Sequence, residues 1–170
     1  YVYNTNGQLL PGWPQTVNCA PVGIAVGDVD INGDMEIVVS TYNRFVSAQN
    51  HELYVFNHDG TVLNGWPQIV SGDSVPVLAD LDQNDGGKLE IVQFGANGNI
   101  LVLNDDGTIV SGWPQIISIY PNYNSYSPAV GDVDNNGDLE IAFIGVNSNS
   151  YAVIYVMNHD GTVLNGWPIL

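Results

Sequence analysis

The sequence predicts an all-β fold, a segment of a β-propeller made of about three and a half four-stranded antiparallel blades. The tripeptide Gly-Trp-Pro occurs four times, with its tryptophans 53, 47 and 54 residues apart. Each copy follows an Asn-Gly or Asp-Gly turn, and an apolar run such as 53–56 or 100–103 precedes each turn. A period near 50 residues that contains strand patterns and no helical pattern is typical of propeller blades.

The last unit shows how four strands follow from the residues. Residues 127–133 predict the first strand, an acidic loop follows, and residues 139–145 and 151–157 predict the second and third strands. The sequence Asn158-His-Asp-Gly161 predicts a hairpin turn, because glycine tolerates the positive φ that such turns require. A fourth strand is expected near residues 162–167. Several strands are apolar on successive residues, which indicates sheets covered on both faces.

We expect the whole chain, residues 1–170, to form one propeller region that is incomplete. Residues 1–18 predict the last two strands of a blade. Three full blades are expected over residues 19–70, 71–118 and 119–170. Because closed propellers have typically 4–8 blades, we expect further blades outside this sequence.

The charge of the chain excludes several classes of function. It has 18 acidic side chains against 2 basic ones, Arg44 and Lys88, and a formal net charge of −16. Nucleic acids and anionic membrane surfaces are excluded as partners, because both require clustered Lys and Arg. No apolar run approaches the roughly 18 residues of a membrane-spanning helix, so no membrane insertion is predicted.

Twelve of the 18 carboxylates lie in three short clusters that follow the repeat. Two clusters read Asp-x-Asp-x-Asn-Gly-Asp-x-Glu, with oxygen-bearing side chains at positions 1, 3, 5 and 9 and glycine at position 6. Ca²⁺ binds six to eight oxygens in flexible geometry, so this spacing predicts a calcium site in each loop. The predicted ligands are the side chains of Asp28, Asp30, Asn32 and Glu36 with the backbone carbonyl of Asp34, and the side chains of Asp132, Asp134, Asn136 and Glu140 with Asp138 at the carbonyl position.

The middle cluster is two residues longer and predicts a third calcium site with its register left open. Its expected ligands are Asp80, Asp82, either Asn84 or Asp85, and Glu90. An EF-hand is excluded for the two regular loops, because position 12 is Val39 or Phe143 where that motif needs Glu, and the flanks are strands. Mg²⁺ and Zn²⁺ fit less well, since Mg²⁺ prefers rigid octahedral geometry and no histidine lies in a loop.

The four tryptophans, Trp13, Trp66, Trp113 and Trp167, allow two interpretations. They could form a row of platforms on which sugars stack. Their identical placement in every unit favours packing between neighbouring blades instead.

The loop Asp-x-Asp-x-Asn-Gly-Asp-x-Glu-Ile, in units of about 50 residues, resembles FG-GAP/VCBS-type repeats, the calcium-loop propeller blades also found in integrin α-subunit heads. The Asp-Gly-x-x-x-x-Gly-Trp-Pro ending is similar to bacterial secreted proteins of this kind. Glu at the ninth loop position departs from the Asp usual in the family, and both residues supply a carboxylate. The resemblance implies calcium in the hairpin between the first and second strands of each blade.

The resemblance also implies a calcium-binding, extracellular or cell-surface module for adhesion or for binding a protein or carbohydrate ligand. No nucleophile elbow, phosphate loop or unrepeated carboxylate pair stands out, so a non-catalytic function is expected. Two alternatives stay open. The chain could be a structural subunit of a surface filament or layer that binds like subunits, or the propeller part of a secreted polysaccharide-active enzyme.

Overall fold

The computed structural model describes residues 1–42, 51–70, 74–83, 86–95, 98–117, 127–146 and 151–169. These residues form eleven strands in three antiparallel sheets and contain no α-helix. The predicted all-β class is therefore confirmed, with sheets of three or four strands that correspond to partial propeller blades. The same residues include no helix long and apolar enough to cross a membrane.

Each sheet is a meander in which strands that follow one another in the chain are hydrogen-bonded neighbours. The first sheet contains β1 (Ala20–Gly27), β2 (Glu36–Tyr42), β3 (His51–Phe56) and β4 (Gln68–Val70). The second contains β5 (Val77–Ala79), β6 (Glu90–Phe94), β7 (Asn99–Leu103) and β8 (Gln115–Ile116). The third contains β9 (Ala129–Gly131), β10 (Glu140–Val146) and β11 (Ala152–Asn158).

The fourth strand lies further along the chain than predicted. It is expected near residues 162–167 of the last unit, a range that ends at the tryptophan of Gly-Trp-Pro, but in the first two blades β4 and β8 both begin after the tripeptide. In the last blade, Ile154 and Ile169 exchange two backbone hydrogen bonds of 2.9 and 3.0 Å at the equivalent position. The expected segment 162–167 contributes only a bridge from Val163 to Met157. The Asp-Gly turn is a small hairpin of its own, and ladder pairing resumes only beyond the proline.

Two further expectations are corrected at the strand ends. The first strand of the last blade, expected over residues 127–133, spans only Ala129–Gly131, because the acidic loop leaves the ladder directly afterwards. Residues 1–18, expected to form the last two strands of a blade, form none of the eleven strands. Tyr3 makes a single antiparallel bridge to Leu9 across the Asn6-Gly7 turn.

The hydrophobic core lies between the sheets. One cluster joins the first and second sheets and includes the fully buried Val38, Leu53 and Ile91. A second joins the second and third sheets and includes Ile100 and Ile141. The second sheet, which lies between the other two, thus buries both faces. This burial explains why its strands are apolar on successive residues.

A repeated contact fixes one blade against the next. The indole Nε1–H of Trp66 donates to the carbonyl of Asp105 at 2.8 Å. Trp13 and Trp113 make the same bond to the following blade, to the carbonyls of His58 and His159, at 3.0 and 2.9 Å. We call this contact, from Gly-Trp-Pro to the turn of the next blade, the latch. All four Trp-Pro bonds are cis.

The glycine of the tripeptide is required by how closely the latch brings two backbones together. A Cβ on Gly12, Gly65 or Gly112 would collide with the carbonyl oxygen of Asp59, Asp106 or Asp160 respectively. Trp66 and Trp113 are each more than nine-tenths buried. Packing, rather than a sugar platform, accounts for these tryptophans.

We expect Gly65→Ala to destabilise the chain by about 2 kcal/mol more than Gly166→Ala, because only the first substitution overpacks a blade contact. Both glycines have φ near +92°, so the backbone strain is matched. No described atom lies within 4 Å of a Cβ on Gly166. Chemical denaturation in dilute solution measures the difference, and equal losses would contradict the close approach.

Candidate metal centres

The three acidic loops occupy the same hairpin of each blade, between its first and second strands. In each loop, one carboxylate oxygen from each of three side chains lies within 4.8 Å of the other two. The three sets are Asp28, Asp30 and Glu36; Asp80, Asp82 and Glu90; and Asp132, Asp134 and Glu140. The structure therefore brings together nine of the predicted ligand side chains.

The glutamate of each set is the first residue of the blade's second strand. Glu36, Glu90 and Glu140 pair in the ladder with the last residue of the first strand, which holds them at the base of the loop. All three are completely buried. Each Oε2 accepts a backbone N–H from loop position 2, namely Val29, Leu81 and Val133, at 2.7–2.8 Å. The glutamate thus closes the loop on itself.

The second oxygen of the glutamate is the unusual feature of the regular loops. Oε1 of Glu36 and Oε1 of Glu140 are buried and have no hydrogen-bond partner among the described residues. Both oxygens of a buried carboxylate are normally hydrogen-bonded or paired with a cation, because an unpaired buried charge costs on the order of several kcal/mol of stability. Both glutamates belong to clusters that contain two further carboxylates.

Burial raises the pKa of Glu36, and the negative charges of Asp30 and Asp28 raise that pKa further. The hydrogen bond from the Val29 amide opposes this shift. Asp28 and Asp30 therefore repel the Glu36 carboxylate, which is itself buried away from water.

The aspartates at loop position 1 organise the backbone. Asp28 accepts from the amides of Asn32 and Gly33, both at 3.0 Å. Asp132 makes the same pair of bonds to Asn136 and Gly137, both at 3.1 Å. The first and third loops thus share one fold, as their sequences predict.

Sequence reasoning missed a backbone feature at loop position 4. Ile31, Gln83 and Asn135 all have positive φ, between 51° and 61°. Such a φ is uncommon for any residue other than glycine and is a genuine outlier for β-branched Ile31. Asn135 is of a residue type enriched at positive φ, but Ile31 and Gln83 give no such signal in the sequence.

Positions 5 and 7 lie at the edge of the cluster. The side-chain oxygens of Asn32 and Asn136 accept the amides of Asp34 and Asp138 at 2.7 and 2.6 Å. In the third loop the amide nitrogen of Asn136 donates to Asp134 at 3.3 Å. The side chains of Asp34 and Asp138 are not part of the carboxylate sets.

The middle loop begins and ends like the other two. The amide of Gln83 donates to Asp80 at 3.0 Å, and Gly87 stands three residues before Glu90, as Gly33 stands before Glu36. The predicted ligands Asn84 and Asp85 lie outside the described residues. The two extra residues of this loop therefore lie between the residues that correspond to positions 4 and 6 of the regular loops. Lys88 stands two residues before Glu90, which is position 7, where the regular loops have Asp34 and Asp138.

This substitution belongs to a charge pair that the sequence analysis did not identify. In the first blade, Asp34 lies 3.4 Å from His58 of the Asp-Gly turn. In the middle blade both members are exchanged, and Lys88 lies 2.6 Å from Asp105. In the third blade, Asp138 and His159 line the same cavity of about 450 Å³ beside the loop. The change from Asp to Lys at the loop position, together with the change from His to Asp at the turn position, was the available signal.

Neighbouring loops also contact one another. The amide of Leu89 donates to the carbonyl of Val29 at 3.1 Å, which links the middle loop to the first. The side-chain amide of Gln83 donates to the carbonyl of Gly137 at 2.7 Å, which links it to the third. The three clusters therefore lie along one connected layer at the same end of the sheets.

Residues 84–143 match the family model described as an FG-GAP-like repeat. This stretch runs from the middle loop to the second strand of the last blade and includes the whole third loop. The match confirms the predicted FG-GAP-type repeat, and the repeat indicates a β-propeller-like module. Among curated proteins, none matches the chain.

We expect the charge pair to behave as a unit. Lys88→Asp places two carboxylates together and Asp105→His removes the carboxylate that faces Lys88, so each lowers the free energy of unfolding by about 1 kcal/mol. The double variant recreates the Asp–His pair of the first blade and recovers most of the loss. A double-mutant cycle in the presence of chelator measures this coupling, and losses that simply add would contradict it.

Proposed function

We propose that this segment of FG-GAP-like repeats binds Ca²⁺ in its three acidic loops and acts outside the cell as a non-catalytic adhesion or ligand-binding module. The observation that carries the proposal is the fully buried glutamate of each regular loop, whose second oxygen has no hydrogen-bond partner among the described residues. That glutamate belongs to a cluster with two aspartate carboxylates. A bound cation would turn the repulsion within this cluster into attraction.

The chemistry of the donors favours calcium. Each set consists of carboxylates, without His or Cys, and a hard cation prefers such oxygen ligands. Asp28, Asp30 and Glu36 would hold the ion in the first loop. Asn32 can contribute as well, because an amide oxygen has two lone pairs and uses one for the amide of Asp34. Water would complete the six to eight ligands that Ca²⁺ requires.

The charge of the chain supports a location outside the cell. Three Ca²⁺ ions would bring six positive charges to a chain with a formal net charge of −16. Extracellular modules bind Ca²⁺ with dissociation constants of about 10⁻⁴–10⁻³ M, which only extracellular calcium concentrations satisfy. We propose that the ion stabilises the blades and that a protein or carbohydrate ligand binds elsewhere on the module.

A structural role is also the simplest account of the repeated side chains. The buried tryptophans donate hydrogen bonds in the latch, and the acidic residues form the clusters of the loops, so both sets already have a structural role. Arrays of glycans and extracellular proteins, probed with and without Ca²⁺, would identify the ligand. Binding is expected only in Ca²⁺, and turnover of any bound glycan would contradict a non-catalytic function.

We expect Glu140→Gln to have opposite effects with and without calcium. In chelator the unfolding midpoint should equal or exceed that of the unaltered chain, because a neutral amide removes a buried charge and can donate to the aspartates. In Ca²⁺ the variant should gain less, because it lacks one site. A saturated site contributes about 2.7 kcal/mol when free Ca²⁺ is 100-fold above its dissociation constant.

Asp106→Ala is the matched control, since Asp106 caps a turn through Thr108 and lies outside the loops. It should lower stability equally with and without Ca²⁺, whereas Asp132→Ala should lower the calcium response. Identical unfolding curves in Ca²⁺ and chelator for the unaltered chain would refute the metal proposal.

A further inference from the structure

The fourth position of an acidic loop contacts the sixth position of the loop in the next blade. The side-chain Nε2–H of Gln83 donates to the carbonyl of Gly137 at 2.7 Å. One blade earlier, the Cδ1 atom of Ile31 lies 3.8 Å from the place that a Cβ on Gly87 would take. Gly87 and Gly137 each stand three residues before the buried glutamate of their loop. The contact therefore recurs at both boundaries between the three loops.

The backbone at the fourth position is unusual at both boundaries. Ile31 has a φ of 60° and Gln83 a φ of 51°, a region in which residues other than glycine are uncommon. Such a conformation is unfavourable and persists only where the surrounding structure holds it. In both loops the strained residue is the one whose side chain extends to the next loop.

A continuous path of hydrogen bonds joins a predicted ligand of the middle loop to a predicted ligand of the third loop. Asp80 Oδ1 accepts the backbone amide of Gln83 at 3.0 Å, and the side chain of Gln83 donates to the Gly137 carbonyl. The amide of Gly137 donates in turn to Asp132 Oδ2 at 3.1 Å. Asp80 and Asp132 each belong to a carboxylate set. Only Gln83 and Gly137 separate the two candidate metal centres along this path.

The first and middle loops are joined in a different way. The amide of Val29 donates to Glu36 Oε2 at 2.8 Å, and the carbonyl of Val29 accepts from the amide of Leu89 at 3.1 Å. Leu89 directly precedes Glu90, the buried glutamate of the middle loop. This link uses only backbone groups. The link through Gln83 uses a side chain, so substitution can test it.

We propose that Gln83 is a positioning residue that couples cation binding in the middle loop to cation binding in the third loop. The inference rests on the proposed function, because it concerns the same calcium sites. When Asp80 holds an ion, the backbone of Gln83 that is bonded to it is held as well. The side chain of Gln83 then holds the peptide of Gly137, whose amide donates to Asp132. Part of the ordering that the third loop requires is thus complete before its own ion binds.

The expected coupling is positive and small. A loop that is already held loses less conformational entropy when its ion binds, so its affinity is higher. The strength of one neutral hydrogen bond limits the effect to about threefold to tenfold in affinity. Coupling between two binding sites is reciprocal, so each loop changes the affinity of the other by the same factor. Repulsion between the two ions acts in the opposite direction, and salt at about 0.15 M screens charges more than about 8 Å apart.

Calcium titration followed by NMR tests the proposal, with the Val133 amide as reporter of the third loop because it donates to Glu140. Glu90→Gln disables the middle site by removing its buried charge, and it keeps an oxygen for the amide of Leu81. The third site should then bind Ca²⁺ about threefold more weakly than in the unaltered chain. Gln83→Met keeps a long side chain without a donor. In that variant, disabling the middle site should leave the affinity of the third site unchanged.

Gln68→Met is the matched control. It removes a hydrogen bond from a glutamine side chain to a backbone carbonyl, at 2.6 Å to Gly65, outside the acidic loops. Disabling the middle site in this variant should still weaken the third site by about threefold, because the link through Gln83 remains.

Three results would overturn the proposal, and they have different consequences. A third site whose affinity does not depend on the middle site would refute the coupling and leave calcium binding intact. Coupling that persists in Gln83→Met would refute the role of Gln83. A titration in which no loop resonance responds to Ca²⁺ would refute both the coupling and the proposed function.

Discussion

The close approach of Gly-Trp-Pro to the next turn is the constraint on which the rest of the structure depends. It brings two backbones so near that the first residue must be glycine, and the indole N–H beside it bonds the facing carbonyl. The same contact, repeated at each blade boundary, sets how the sheets stack. Stacking covers both faces of the second sheet, which lies between the other two, and its strand β6 is therefore buried along its whole length.

The buried glutamate connects this packing to the acidic loops. It starts the second strand of each blade, so the position of the sheet decides where its carboxylate lies. In Glu36 one oxygen accepts a hydrogen bond from a loop amide, and the other has no hydrogen-bond partner among the described residues. Burial of this charge is unfavourable for the chain alone. Binding of a cation would offset this unfavourable burial, and the proposed function rests on the loops for this reason.

The middle blade shows which parts of the repeat are essential. Its loop is longer, and Lys88 replaces an acidic residue, but the facing turn residue changes to Asp105, and the two side chains form an ion pair. The start of the loop, the positive φ at Gln83 and the buried glutamate are all retained. At this pair of positions the repeat therefore keeps a contact between loop and turn, although the residues that form it change. Hydrogen bonds also link this loop to both neighbouring loops.

The sequence by itself determined the period, the turns, the second and third strands and the residues of the acidic clusters, because these depend on contacts between near neighbours in the chain. Only the tertiary structure placed the fourth strand beyond the proline, because a strand is defined by the strand it pairs with. Ile169 pairs with Ile154, and this pair lies on the far side of the turn. It also decided that each glutamate is buried and that Lys88 faces Asp105, residues 17 apart. Burial and pairing of this kind arise from how the sheets stack, and local patterns do not encode them.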